Sequence, residues 1–415
     1  AGGPAATPGP EMDEGVLRRF AEALDPELMS NGPPDSGFEP AFRNPCWKAP
    51  SGTLRCLPGG YVMGAFHAGV TSLAAKLSRH KQVLLDHMSH AQFWAEDGKK
   101  MRDFVDGFSA ASASIQAEGH RSSKIILEVS QSTLTYYPAA GGKAHRRFAA
   151  TISPCYRNCS DNAVHVGAEG HMDMDECMGK RCFPEAQAAD RTVAAQHGMD
   201  YLSQQNVPTL MRAVYRDANP RLVAVLRNPV ARLHSAYYGY PHYHGKHGRH
   251  AIGFLAYVKE QVSAFRECES SGHTTDECAL LFEMLGPVQE KVYYHCDQLM
   301  RGMYAVYLEG WLRVFPREAL HVVLAEDLFA DTRAAVAGIT SHLGLTAFTD
   351  DEWEAARFAG PANSYAGDAE PMLPEAAELL TRLYAPHNER LARLLSDKRF
   401  LRWNEHPAEA AAHQR

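Results

Sequence analysis

No stretch of the 415-residue sequence approaches the ~18–20 apolar residues that a membrane-spanning helix needs, so none of it reads as a membrane span. Neither sign of charge dominates. Lys and Arg number 42 against 49 Asp and Glu, a formal net charge of −7. That lacks the global basic signature of a nucleic-acid or anionic-membrane binder. The densest basic cluster, His145-Arg146-Arg147, has the size of an ordinary solvated face. No internal repeat is visible. A lysine is also missing. The stretch GAFHAGVTS, Gly64 to Ser72, has the spacing of a G-x-x-x-x-G-K-[ST] phosphate loop with Thr71 as its hydroxyl. Val70 holds the lysine position. A nucleotide kinase or NTPase needs that lysine and a Mg²⁺-binding partner, so its absence argues against that class.

What is present is ordinary globular composition, 45% hydrophobic and 22% charged, enough for one large domain or two modest ones. Eight of the nine cysteines fall as near pairs along the chain: Cys46/Cys56, Cys155/Cys159, Cys177/Cys182 and Cys268/Cys278. Cys296 stands alone. The two middle pairs could supply four zinc thiolates. Disulfides in an oxidising lumen fit the set better, with connectivity open. Asn158-Cys159-Ser160 is a glycosylation sequon, which carries meaning in a secretory protein.

Residues 1–43 read as a largely irregular stem or linker, beginning AGGPAATPGP. The folded domain is expected over 44–405, with 406–415 a tail. Short apolar runs at Tyr61–Phe66, Ile125–Val129, Leu222–Leu226 and Leu320–Leu324 predict strands. Helical patterns follow at Thr71–Arg79, after Asn228-Pro229, at Tyr304–Phe315 and over 375–395. Strands alternating with helices predict an α/β fold, a central parallel sheet flanked by helices. Residues 151–190, rich in Cys, Asp, Asn and Gly, read as a loop-like, disulfide-tied insertion. Residues 238–250 (YGYPHYHGKHGRH) read as a second irregular region.

Two motifs carry the chemistry. A strand, an inward-facing loop and a helix N-terminus bind anionic oxygens through backbone N–H groups, and Thr71 and Ser72 add hydroxyls. The second motif is LVAVLRNPVARLHSAYYGY. Arg227 ends a buried strand and can hold a phosphate bidentately. Ser235, two helical turns later, can donate to the same group. Arg232 reads either as lying near them or as a solvated helix residue.

Together these motifs resemble the sulfotransferases, whose donor is 3′-phosphoadenosine 5′-phosphosulfate. Phe66-His67-Ala68-Gly69-Val70-Thr71 is similar to the family's P-K-x-G-T-T loop, and Arg227 to Ser235 to its R-[DN]-P-x-x-R-x-x-S. The resemblance extends to carbohydrate sulfotransferases acting on N-acetylgalactosamine 4-sulfate in chondroitin. It is carried by Asn44-Pro45-Cys46-Trp47, Leu54-Arg55-Cys56-Leu57-Pro58, Gly302-Met303-Tyr304 through Phe315-Pro316-Arg317, Glu326-Asp327-Leu328 and YAPHNERLARLL. It implies a P-loop-NTPase-like sulfotransferase fold, with His67, Ala68, Gly69, Val70, Thr71 and Ser72 on the 5′-phosphosulfate. Arg227 and Ser235 would lie on the 3′-phosphate, and no metal would be needed. It also explains the missing lysine, since such a donor has no γ-phosphate.

The resemblance further implies a sugar acceptor, no nucleic-acid partner and a Golgi-lumenal enzyme with a membrane anchor ahead of residue 1. It leaves the oligomeric state open. LEVSQS resembles the family's second strand and makes Glu128 the candidate base for the acceptor hydroxyl. His67 stands where the family has lysine. An imidazolium there could stabilise the leaving phosphate or act as its general acid. The alternative is a non-catalytic glycan- or nucleotide-binding protein on the same fold. Val70 replaces a usual Thr, and Gly360–Met372 is poor in Lys and Arg for a loop covering the donor. His242, His244, His247 and His250 interleave with Tyr237, Tyr238, Tyr240 and Tyr243. They read as an acceptor-side loop, a plain surface loop or, less naturally in a Gly-broken stretch, a metal set.

Overall fold

The structure, a computed structural model, describes residues 13–85, 92–136, 142–164, 174–357, 359 and 369–405. An antiparallel hairpin, β1 (Cys46–Lys48) and β2 (Leu54–Cys56), precedes a parallel sheet. The sheet holds β3 (Gly60–Val62), β4 (Val83–Leu85), β5 (Ile125–Val129), β6 (Arg221–Leu226) and β7 (Leu320–Leu324), in the order β4-β5-β3-β6-β7. Every pairing in it is parallel. Parallel neighbours require crossover connections, and helices make them here. β5 and all of β6 beyond Arg221 are buried, the burial expected of strands covered on both faces.

β5 and β7 have the limits their apolar runs predict. β3 is shorter, ending at Val62 rather than Phe66. Gly64, at φ +128°, takes the chain out of strand geometry. The chain nevertheless stays bonded to β6, with Met63 N–H donating to Val223 O at 2.9 Å and Ala65 N–H to Val225 O at 2.8 Å. A Cβ at position 64 would sit 2.6 Å from the carbonyl oxygen of Gln131, so only glycine fits this crossing. The edge strand β4 was not foreseen; its run is only three residues long.

Three readings of irregular sequence are corrected. Residues 14–24, placed in the stem, form a helix capped by Asp13, with Leu17, Phe20, Ala21 and Leu24 buried and its body packed on the helix Val207–Tyr215. The 151–190 segment is mostly helical rather than loop-like, with helices Arg146–Val164 and Phe183–Gln196 packed together. Disulfides Cys155–Cys182 and Cys159–Cys177 tie this unit. Cys155 and Cys159 lie one turn apart on one helical face, and the chain returning past them pairs in reverse order. The near neighbours in sequence are therefore not partners there, whereas Cys46–Cys56 and Cys268–Cys278 are. With all four sulfurs in disulfides, the thiolates of a zinc set are not available. Cys296 is a buried thiol. The third correction is at 238–250, where Pro241–His247 is a helix.

Candidate active site

The site forms where β3 and β6 end side by side. β3 runs into the loop Met63–Gly69, and the helix Val70–Leu77 follows. Gly69 caps that helix in the left-handed region at φ +87° and, having no side chain, puts none of its own over the first-turn N–H groups. The Phe329 ring lies against Gly69, and a Cβ there would stand 2.8 Å from it. Thr71 and Ser72 are half-buried at the helix start. Gln131 Nε2, from the loop after β5, donates to Thr71 Oγ1 at 3.0 Å. Ala68 is buried, and its N–H turns back to Ala65 O at 3.3 Å.

Val70 accounts for the missing lysine in physical terms. Its side chain is 2% exposed and packs in the core cluster. A lysine in the same direction would carry its ammonium into apolar surroundings at a cost of several kcal/mol.

β6 delivers the second motif. Asn228 caps the helix Pro229–Gly239, its side chain accepting from Val230 N at 2.9 Å, and Pro229 starts the first turn. Arg227 Nη1 donates to His67 O at 2.9 Å. Ser235 Oγ and His67 Nδ1 are 3.2 Å apart. The structure thus brings both motifs together on one residue, His67, itself at φ +57°. The Tyr240 ring meets the imidazole edge-on at 4.9 Å.

Burial, then the positive charges of Arg232 and Arg227, press the His67 pKa down to about 3. Its imidazole is neutral at neutral pH, so the imidazolium considered from the sequence is not the resting form. Arg232 is not a solvated helix residue. It is fully buried, with Nη1 on Gln298 Oε1 at 3.0 Å and Nη2 on Gln298 O. Burial lowers the Arg227 pKa from its ordinary value, and the nearby Glu326 carboxylate opposes that shift. Glu326 Oε1 accepts from Asn228 N at 2.8 Å, while its Oε2 is buried without a hydrogen-bond partner.

Glu128 lies on β5 in register with Tyr61 of β3 and is 2% exposed. Burial raises its carboxyl well above the usual range, and Oε2 has no hydrogen-bond partner. The loop after it is held by Arg301 Nη1 on Thr135 O at 2.6 Å and Trp311 Nε1 on Leu134 O at 3.1 Å. The Arg301 guanidinium also lies over the Phe66 ring, 4.7 Å from its centre.

The four histidines of 242–250 do not converge. His244 Nε2 bonds Tyr237 O at 2.8 Å, His247 Nε2 lies 3.0 Å from Glu260 Oε2, His250 Nδ1 caps the next helix by accepting from Gly253 N, and His242 packs among aromatic rings. Of the segment considered as a donor cover, residues 360–368 lie outside the described residues.

Two loop motifs thus meet at the ends of central parallel strands, and the chain is similar to known sulfotransferases. Residues 175–361 match the family model described as Sulfotransferase domain. The chain is 23% identical over 366 residues to human carbohydrate sulfotransferase 15, covering 84% of this chain and 55% of that protein. The Mus musculus protein of the same name is 23% identical over 361 residues, with the same coverage of each. That of Nototodarus sloanii is 30% identical over 99 residues, covering 23% of this chain and 62% of the relative. A sulfotransferase from Alicyclobacillus acidocaldarius aligns with TM-score 0.42 and 17% identity, over 84% of this chain and 100% of that one. These matches show a similarity to carbohydrate sulfotransferases over most of the chain. It spans about half the length of the mammalian relatives.

Of the residues around His67, Arg232 was read from the sequence as one of two alternatives and Tyr240 as part of an acceptor-side loop, whereas Gln131 was given no role. Gln131 follows Glu128 by three residues, which is the signal that could have found it.

Proposed function

We propose that this chain transfers a sulfuryl group from 3′-phosphoadenosine 5′-phosphosulfate to a sugar hydroxyl. The observation that supports this reading is the meeting of Arg227 and Ser235 on His67, which sets the end of β6 and its helix against the loop Met63–Gly69. In this reading the first-turn N–H groups, Thr71 and Ser72, with His67, Ala68, Gly69 and Val70 forming the loop, hold the 5′-phosphosulfate. Arg227 and Ser235 hold the 3′-phosphate. The acceptor oxygen attacks sulfur in line, and the bond from sulfur to the bridging oxygen breaks. Adenosine 3′,5′-bisphosphate leaves, and the hydroxyl proton passes to Glu128. Glu128 serves as base once acceptor binding opens Oε2 and the carboxyl is ionised. No resident metal is invoked. Four disulfides support a secretory, oxidising compartment; a Golgi-lumenal enzyme anchored ahead of residue 1 accords with that.

The neutral His67 favours one second reading, a donor-binding protein without turnover. Calorimetry with adenosine 3′,5′-bisphosphate tests both. Binding lost in Arg227→Ala supports the donor site, and no binding to the wild type rejects it. Turnover that appears only in His67→Lys favours the second reading.

A further inference from the structure

Aromatic rings continue outward from His67. Tyr240 lies 4.9 Å from His67, His242 stacks on Tyr240 at 5.4 Å and 22°, and Tyr294 follows at 4.4 Å from His242. The row is more exposed at its outer end than at Tyr240. Tyr240 is half-buried, His242 exposed and Tyr294 43% exposed. Beneath it, buried Tyr243 touches His242 at 4.2 Å and Tyr294 at 5.2 Å, and its hydroxyl donates to Asp297 Oδ1 at 2.9 Å. Tyr293 OH donates to His242 O at 2.6 Å and ties the two segments together.

The outer end is held in an unfavourable backbone. Tyr294, His295 and Cys296 have φ of +49°, +49° and +56°, the left-handed region that L-residues disfavour. Neighbouring bonds fix it: His295 Nδ1 on Glu283 Oε2 at 2.5 Å, Gln261 Nε2 on Tyr293 O at 3.0 Å and Cys296 Sγ on Gln261 O at 3.5 Å. Core packing alone does not require an exposed tyrosine on a strained turn. A binding surface gives it a use, since strain of this kind gathers at ligand clamps. The nearby cation Lys246 is matched by Glu260 at 2.6 Å, and Glu260 also faces His247. The row therefore offers partly exposed aromatic surface and hydrogen-bonding tips rather than net charge, the chemistry that pyranose rings pack on.

We propose that Tyr240, His242 and Tyr294 form a stacking track for the acceptor glycan, holding sugar residues beyond the one at His67. This deepens the sulfotransferase reading and rests on it for the direction of the chain. Matched disaccharides and hexasaccharides of chondroitin, heparan and poly-N-acetyllactosamine, immobilised, give the test. Wild type is expected to hold at least one hexasaccharide about tenfold more tightly than its disaccharide. Tyr294→Ala and His242→Ala lose that advantage, on the order of tenfold, and Tyr294→Phe keeps it. Adenosine 3′,5′-bisphosphate affinity, measured separately by calorimetry, stays within about twofold in all three variants. A hexasaccharide advantage that survives both alanine variants overturns the track, as does failure of wild type to hold any hexasaccharide. Loss of nucleotide binding by wild type instead removes the donor reading, whatever the glycans do.

Discussion

The buried imidazole of His67 makes stability depend on pH in a way that one substitution isolates. In the unfolded chain the group titrates near 6.5, and in the folded chain at about 3. The folded pKa is depressed, so below pH 6.5 the unfolded state takes up a proton that the native state does not. Stability is full above that value and falls as pH drops from 6.5 toward 3. At pH 5 the gap is about 1.5 pH units, or about 2 kcal/mol at 1.36 kcal/mol per unit. Other buried histidines titrate low as well, His342 and His387 both at about 4. Only the difference between wild type and a His67 variant isolates this contribution. His67→Asn suits it, since asparagine tolerates φ near +57° and keeps a polar group beside Ser235. The assay is urea unfolding with disulfides intact, at pH 8 and pH 5. The variant should gain about 2 kcal/mol on the wild type between those two values. An unchanged difference would mean that His67 is solvated and charged at pH 5, and the account of a neutral resting imidazole would fall. The same linkage reaches the donor. An anionic nucleotide on the loop must raise the His67 pKa, so its binding should take up a proton and strengthen as pH falls from 7 to 5.

Glu128→Gln should abolish turnover while leaving adenosine 3′,5′-bisphosphate affinity intact. Because burial raises the Glu128 pKa, ionising it weighs against the native state as pH rises, so the variant should gain stability on the wild type between pH 5 and pH 9. Thermal unfolding across that range checks it, and parallel curves would place Glu128 in solvent. Gly69→Ala should cost about 1–2 kcal/mol from its left-handed φ. Adding Phe329→Ala relieves the 2.8 Å approach of the new Cβ but not the backbone, so the double variant should recover only part of the loss in urea. Replacing Cys159 and Cys177 by serine opens a loop with a sequence separation of 18. It should lower stability by about 3 kcal/mol, read as a fall in Tm; a Tm unchanged within a degree would show that helix packing alone holds the unit.

What could be read from the chain and what could not divides along a physical line. β6 was legible because a strand buried on both faces needs an unbroken apolar run, and LVAVL is one; β5 and β7 were legible although Glu128 and His321 interrupt theirs, since the flanking residues are apolar and β-branched or Leu. Gly64 and Gly69 were legible because their spacing encodes a backbone event local to nine residues. The helix Glu14–Leu24 was legible too and was missed. Leu17, Phe20, Ala21 and Leu24 recur with helical spacing behind the cap Asp13, but the Pro- and Gly-rich residues before them set the reading. Arg232 belongs to another kind. Its sequence neighbours describe an exposed helix residue, and only the carbonyl and amide of Gln298, 66 residues on, make it a buried one.

The fate of position 67 joins the two kinds. A lysine-to-histidine change in a loop looks, along the chain, like the loss of one charge. In the fold it places a neutral ring beside Ser235 and Tyr240, with Arg227 on the backbone carbonyl of the same residue and Arg232 buried nearby. The positive charge a family lysine would supply at that point is then left to the two arginines. An anion arriving on the loop meets those fixed charges first and recruits the His67 proton second. If donor binding proceeds without proton uptake at pH 6, the arginines alone carry it, and His67 acts by shape rather than by charge.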